Sequence, residues 1–289
     1  MAILDLPSGT LAYETYGPAD SSHPPVVFAH GVVADGRLWQ PVAELLAQAG
    51  VRSYVPTLPL GAHRIPWGPD ADRSPAGAAR LLREFVDAVG ARGATLVGCD
   101  TGGAICQFAL DQDPAFVDRV MFTNCDAFEK FPPQPFGAIF ALMRHTWLLR
   151  PLIAGPLQVT ALRHSPLALG LLVTDPDPEL TRSMLEPLRT DARIRDDLTA
   201  FLGAIDSADL ASVTPRLHQV TAPVSVVWGT ADRAFRPALG RRLAAVFEQA
   251  TFTEVPGART FVALDNPCAV VTAIVDISER PTHPAPPAR

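Results

Sequence analysis

Leu96-Val97-Gly98-Cys99-Asp100-Thr101-Gly102-Gly103 decides the fold. Four residues, Thr95 to Gly98, read as a short apolar strand. Thr101 to Asp111 reads as a helix, and Gly-x-Asp-x-Gly lies between them. A turn that passes from strand to helix in so few residues puts one side chain at the apex of a strained bend. Glycines flank the apex because larger side chains would collide as the strand and helix pack. The apex residue here is Asp100. The helix after it aims its free N–H groups and positive end at the same place, which favours a carboxylate.

Working outward, strands and helices alternate. Ile3–Leu6 and Thr10–Tyr16 flank a Ser8-Gly9 turn and predict a hairpin. Strands are predicted at Val26–Ala29, Val51–Val55 and Arg119–Asn124. Helices are predicted at Leu38–Ala49, with Gly50 as its stop, and at Pro75–Val89, with Ser74 as N-cap. The pattern resumes with strand Val224–Trp228, helix Pro237–Phe247, strand Thr251–Val255 and helix Cys268–Ile277. Such alternation implies an α/β fold with a mostly parallel, doubly wound sheet. Between Ala127 and about Ser207 no strand is legible, and Pro-punctuated apolar helical pieces take over. Residues 1–126 and 208–278 therefore read as the core, 127–207 as a helical cap inserted into it, and the Pro-rich residues 279–289 as a disordered tail.

Composition narrows the function. Hydrophobic residues make up 48% of the 289, enough for a large buried core. The net charge of −6 and the absence of a Lys/Arg cluster exclude nucleic acid as a partner. No basic-then-apolar leader is visible, and the richest apolar run, Pro166 to Val173, is too short for a membrane span, so no membrane partner and a cytoplasmic location are expected. Cys99, Cys106, Cys125 and Cys268 lack metal-type spacing and read as buried reduced thiols. There is no ligand cluster for a metal and no phosphate-binding glycine fingerprint, so neither metal nor cofactor is expected. The expected partner is a small-molecule substrate; the sequence leaves the oligomeric state open.

Two more segments are in register with the elbow. In Phe28-Ala29-His30-Gly31-Val32-Val33 a strand ends in His-Gly and a loop leads to a helix near Trp39. In Val227-Trp228-Gly229-Thr230-Ala231-Asp232 a strand is followed by Gly-x-x-Asp. An Asx-type helix cap before Pro237 is the alternative use of Asp232.

From Ile3 to Ile277 these segments resemble the α/β-hydrolase superfamily. Asp at the apex resembles the branch of haloalkane dehalogenases, fluoroacetate dehalogenases and epoxide hydrolases. The resemblance implies Asp100 as nucleophile, Val32 and Thr101 as the backbone donors of an oxyanion hole, and Asp232 as the acid that orients a histidine, with Asp126 as the alternative acid. His30, Trp39, Thr260 and His145 are the further residues expected at the pocket.

The chain departs from that branch at three places. Its histidine segment reads Gly257-Ala258-Arg259-Thr260-Phe261, which puts Thr260 where the base belongs. Thr101 and Val32 stand where the dehalogenases hold a halide with indole or amide side chains. All three tyrosines, Tyr13, Tyr16 and Tyr54, precede the cap, whereas epoxide hydrolases use cap tyrosines. Loss of a triad histidine costs on the order of a million-fold in turnover. Three readings follow: a hydrolase of a small apolar substrate (ester, epoxide or carbon–halogen bond) that recruits His145, His164 or His63; an isomerase, lyase or cyclase with Asp100 as general acid or base; or a binding protein without catalysis. Cap residues such as Phe136, Phe140 and Met143 suggest the apolar substrate.

Overall fold

The computed structural model describes residues 1–282. The proposed disordered tail falls largely on residues 283–289, which lie outside them. Eight strands form one sheet in the order β1-β2-β4-β3-β5-β6-β7-β8. They are β1 (Ala2–Leu6), β2 (Gly9–Tyr16), β3 (Val26–Ala29), β4 (Ser53–Thr57), β5 (Thr95–Asp100), β6 (Arg119–Cys125), β7 (Val224–Gly229) and β8 (Ala250–Val255). β2 runs antiparallel to both β1 and β4, and the other neighbours are parallel. β3, β6 and β7 are buried along their whole length, as strands covered on both faces must be.

Helices cover each face over its own apolar core. Pro75–Ala88 and Thr101–Gln112 bury Leu81, Leu82, Phe85, Ile105 and Phe108 on one side. Gln40–Gln48 and Pro267–Ser278 bury Val42, Leu46, Val270 and Ile274 on the other. Ser74 caps its helix by accepting from Gly77 N–H at 3.0 Å, as read from the sequence. The predicted start at Leu38 is a 3-10 turn, Gly36–Trp39, and the α-helix follows it.

Between β6 and β7 the chain is helical, with Phe136–Met143, Pro178–Thr190 and Ala192–Gly203 as the longer pieces. Helix Ser207–Arg216 returns to the core: Thr214 Oγ1 donates to Gln107 Oε1 at 2.7 Å, and Arg216 pairs with Asp111. Asp197 ties the inserted helices down by accepting from Trp67 N–H at 2.8 Å and pairing with Arg73 and His63. Phe261 N–H donates to Leu172 O at 2.8 Å, and Arg259 donates to the carbonyls of Gly170 and Val173.

Cys99, Cys106 and Cys125 are buried free thiols, but Cys268 is exposed. It is the second residue of a surface helix, and its side chain falls outside that helix's buried stripe of Val270, Ala273, Ile274 and Ile277.

Candidate active site

Asp100 ends β5 at φ 54° and ψ −135°, in the left-handed half of backbone space, and the helix begins at the next residue. A non-glycine residue there costs on the order of 1–3 kcal/mol and persists only when its surroundings enforce it. Here they do. A Cβ at Gly102 would overlap the carbonyls of Ala29 and His30, and one at Gly103 would overlap Cys125. The ladder between β5 and β6 shifts register between Gly98 and Asp100, where the apex lifts off the sheet.

The carboxyl of Asp100 lies against Gly31, so closely that a Cβ there would overlap Asp100 Oδ2. His30 shapes this loop. Its Nε2 accepts from Leu58 N–H at 2.8 Å, which leaves Nδ1–H to donate to Gly31 O at 2.9 Å. Both nitrogens are occupied, and burial lowers the pKa to about 4. His30 is thus a neutral support for the loop, not a base. Val33 has φ 59°, and its N–H donates to Leu60 O at 2.8 Å, which turns Val32 toward Asp100's cavity. Among the described residues the Val32 N–H has no acceptor.

Asp232 lies three residues beyond the end of β7 and is 4% exposed. Its Oδ1 accepts from Ala234 N–H at 2.7 Å and Phe235 N–H at 2.9 Å. Its Oδ2 accepts from Asn124 Nδ2 at 2.8 Å and Thr260 Oγ1 at 2.7 Å. Burial raises its pKa to about 6, with those four donors pulling the other way. Thr260 thus takes one side of the Asp232 carboxylate, while Arg259 turns away to the carbonyls of the insertion. Asn124 also accepts from Gly229 N–H at 2.6 Å and so ties β6 to β7. The sequence reading missed Asn124; an amide at the end of an otherwise apolar buried strand was the available signal.

Asp126, just beyond β6, is 1% exposed. Thr101 Oγ1 lies 3.1 Å from its Oδ2, and Oδ1 has no partner. Burial and the neighbouring Asp100 carboxylate raise its pKa well above the usual range. Burial, then the charge of Asp232, raise Asp100 to about 7, against the Thr101 N–H that bonds its charged form. Among the described residues no ion pair includes Asp100, Asp126 or Asp232.

Asp100 opens into a cavity of about 170 Å³ roofed by the insertion. Val32, Val33, Asp100 and Thr101 form its floor. Pro133, Phe136, Ile139, Phe140, Met143, Ile153, Leu157, Leu167, Ala168, Leu169, Leu172 and Leu185 form the rest. Asp100 and Thr101 are its two polar residues.

Several expected pocket residues are elsewhere. Trp39 stacks on Phe28 at 4.8 Å in the core on the other face of the sheet and does not line the cavity. His145 is exposed at the start of a short helical turn, because its neighbours Met143 and Leu149 take the buried positions. His30 and Thr260 are buried behind the wall, not on it. The other candidate bases fail likewise: His63 is committed to Asp197 and Gly61, and His164 to Thr181. Among the described residues no histidine lines the cavity, and no group of His, Cys, Asp and Glu is placed to hold a metal ion. No helix among them is long and apolar enough to cross a membrane.

Comparison with known proteins agrees with this architecture. A family model described as the alpha/beta hydrolase fold matches residues 24–267. Uncharacterized proteins of Mycobacterium tuberculosis and Mycobacterium bovis are 26% identical over 226 residues; the match covers 73% of this chain but only 62% of theirs. Among solved structures, an ancestral haloalkane dehalogenase superposes with a TM-score of 0.76 at 21% identity, covering 97% of this chain and 100% of that one. An esterase from Thermogutta terrifontis gives 0.74 at 18%, covering 95% and 96%. The enol-lactonase from Burkholderia xenovorans gives 0.73 at 19%, covering 96% and 99%. At these identities the likeness is one of fold.

Proposed function

The chain belongs to the alpha/beta hydrolase fold family, and from that premise we propose that it is an enzyme in which Asp100 transfers protons instead of forming an ester. The substrate is a small apolar molecule bearing a carbonyl group. The reaction is an isomerisation or elimination that begins at the carbon next to that carbonyl. One observation carries this reading: Asp232 is held by the Thr260 hydroxyl, and no imidazole stands on the cavity wall among the described residues. An aspartyl ester formed on Asp100 would have no base to activate the water that releases it.

Asp100 suits the other role. A general base works best with a pKa near the operating pH, and burial raises Asp100 to about 7. Its carboxylate removes a proton from carbon: the C–H bond breaks, an Asp100 O–H bond forms, and the electron pair moves onto the carbonyl oxygen. The Val32 N–H, without an acceptor beside the cavity, is the donor for that oxygen, whereas the Thr101 N–H serves the Asp100 carboxylate. The proton then returns to a different carbon, or a leaving group departs. Only apolar side chains surround the reacting atoms otherwise, which favours substrates without hydroxyls or charges.

A second reading is hydrolysis, with Asp100 as general base for a water that attacks an ester or lactone carbonyl. The Val32 N–H, unpartnered beside the cavity, favours it, since such a donor serves a tetrahedral oxyanion equally well.

Isotopes separate the two. The protein is incubated with octanone, ethyl hexanoate and decalactone, in deuterated water and in heavy-oxygen water, and products are read by mass spectrometry. Deuterium entering carbon next to the carbonyl, with no heavy oxygen in product or in Asp100, supports proton transfer. Heavy oxygen in a carboxylic acid product supports the second reading. Heavy oxygen in the Asp100 peptide would mean an ester forms and would overturn both.

A further inference from the structure

Asp126 is the buried carboxyl that this mechanism does not yet use. Its environment is unusual in three respects. The side chain is out of water and unpaired with any cation. It has one hydrogen-bond partner, Thr101 Oγ1 at 3.1 Å, and its other oxygen has none. It adjoins Asp100 across the end of the sheet, with its backbone N–H 3.4 Å from Asp100 O. Asp100 is the charged group that acts on it, and the other titratable groups it faces, Cys99 and Cys125, are not cations.

A buried carboxylate needs several donors or a cation to offset the loss of water. Asp232 has four donors; Asp126 has one. The inexpensive state for Asp126 is the neutral acid. Its Oδ2–H then donates to Thr101 Oγ1, and Oδ1 becomes a carbonyl oxygen, for which a missing partner costs far less. That arrangement frees the Thr101 hydroxyl proton to point elsewhere. Thr101 lines the cavity and its hydroxyl is on Asp126, so this one residue joins the buried acid to the cavity.

We propose that Asp126 is the proton store of this site, a neutral acid whose proton reaches the substrate's oxygen through the hydroxyl of Thr101. The inference rests on the acid–base reading of Asp100 and extends it. As Asp100 takes a proton from carbon, the developing oxyanion takes one from Thr101 Oγ1, which takes one from Asp126 Oδ2. Asp100 ends neutral and Asp126 ends as the carboxylate. Collapse of the enol reverses the relay: its O–H proton returns through Thr101 to Asp126, and Asp100 delivers its proton to carbon. The pair holds one negative charge at every stage, as two adjacent buried carboxyls with no countercharge require. Thr101 is a catalytic residue in this scheme because it touches the substrate. Asp126 acts through it.

The test combines a functional and a spectroscopic readout on the intact protein. Asp126→Asn is nearly isosteric, and the backbone carbonyl of residue 126 keeps its bond from Gln107 Nε2. Deuterium uptake by octanone is measured for the wild type, Asp126→Asn, Thr101→Val, Thr101→Ser and Asp100→Asn. The expected result is a loss of roughly a hundredfold or more in Asp126→Asn and Thr101→Val, with uptake restored in Thr101→Ser to within a few-fold of wild type. Infrared spectra at a pH about two units above the Asp100 value of about 7, where Asp100 is ionised, with carboxyl-labelled aspartate, are expected to show a protonated-carboxyl band that Asp126→Asn removes and Thr101→Val shifts. Thr101→Val also serves if Asp126→Asn does not fold, since it leaves Asp126 in place.

Full activity of a folded Asp126→Asn, with Asp100→Asn inactive, would overturn the relay while leaving the role of Asp100 intact. A protonated-carboxyl band unchanged by both variants would overturn it too. Wild-type protein that takes up no deuterium would contradict the acid–base reading of Asp100 itself, and the infrared band would then decide the protonation state of Asp126 alone.

Discussion

Thr260 donates its hydroxyl hydrogen bond to Asp232 at 2.7 Å, and in the proposed reading this one contact stands in place of a histidine. It also completes the four donors on Asp232, so the carboxylate needs no imidazole. Removing the hydroxyl tests how much it contributes. Thr260→Val keeps the shape and leaves Asp232 one donor short, a loss of about 1.5–3 kcal/mol for a bond to a charged group. Because Thr260 favours the ionised form of Asp232, whose pKa is about 6, the loss is expected in full above that pH and less of it below. Denaturant unfolding at pH 5 and pH 8 checks this; an equal loss at both values would contradict it.

Restoring the imidazole is a separate question. Thr260 is fully buried, and Phe261 beside it is pinned to Leu172 O. Thr260→His therefore overfills a closed site, and a cost of about 1–3 kcal/mol is expected. If the framework lacks only its base, the variant also gains hydrolysis of ethyl hexanoate, and gains it only with Asp100 present. A destabilised variant with no gain would show that the cavity itself is built for other chemistry.

Asp100→Asn isolates the cost of keeping a carboxylate in this place. The folded pKa of about 7 lies above the ordinary value of 3.8, so the folded protein binds more protons than the unfolded chain between those limits. Stability from this group is therefore lost as pH rises from about 4 to 7 and is level above that. The asparagine variant escapes the loss. It is expected to exceed wild type in stability by a margin that grows through that window to a few kcal/mol, on the order of 1.4 kcal/mol per pH unit, while losing activity. A margin independent of pH, measured by urea unfolding, would contradict the raised pKa.

Gly31→Ala addresses the approach of the two loops. The added methyl group overlaps the Asp100 carboxyl and must displace it. Since a misplacement of about 1 Å can cost a hundredfold in rate, activity is expected to fall at least that far with the fold retained. Circular dichroism and turnover together check it; unchanged turnover would mean Asp100 works from a different rotamer.

Much of this architecture was legible in the chain. The inner parallel strands and the elbow declared themselves because strands covered on both faces need apolar runs and because Gly98, Gly102 and Gly103 mark close backbone approach, and the β1–β2 hairpin did so through its Ser8-Gly9 turn. The Thr260–Asp232 contact follows from the resemblance, which sets Thr260 opposite the acid at Asp232. The pocket residues were harder. Trp39 and His145 have suitable chemistry near the right segments, but the side of the sheet that Trp39 faces depends on its packing against Phe28. The exposure of His145 depends on which turn of a weakly periodic helix is buried. Asn124 and the unpartnered oxygen of Asp126 are tertiary facts, set by strands far apart in sequence. The inserted segment shows the same limit: its apolar content was plain, yet which residues line the cavity depends on how its short helices cross.

The central claim is that Asp100 is a buried acid–base group poised near neutral pH without an imidazole beside it. The most direct measurement is a carbon NMR titration of protein labelled at the aspartate carboxyls, with the Asp100 signal assigned by its absence in Asp100→Asn. The account predicts that this carboxyl titrates near pH 7. Titration near the ordinary value of about 4 would contradict it, because a carboxylate already ionised at that pH is a poor proton shuttle at neutrality.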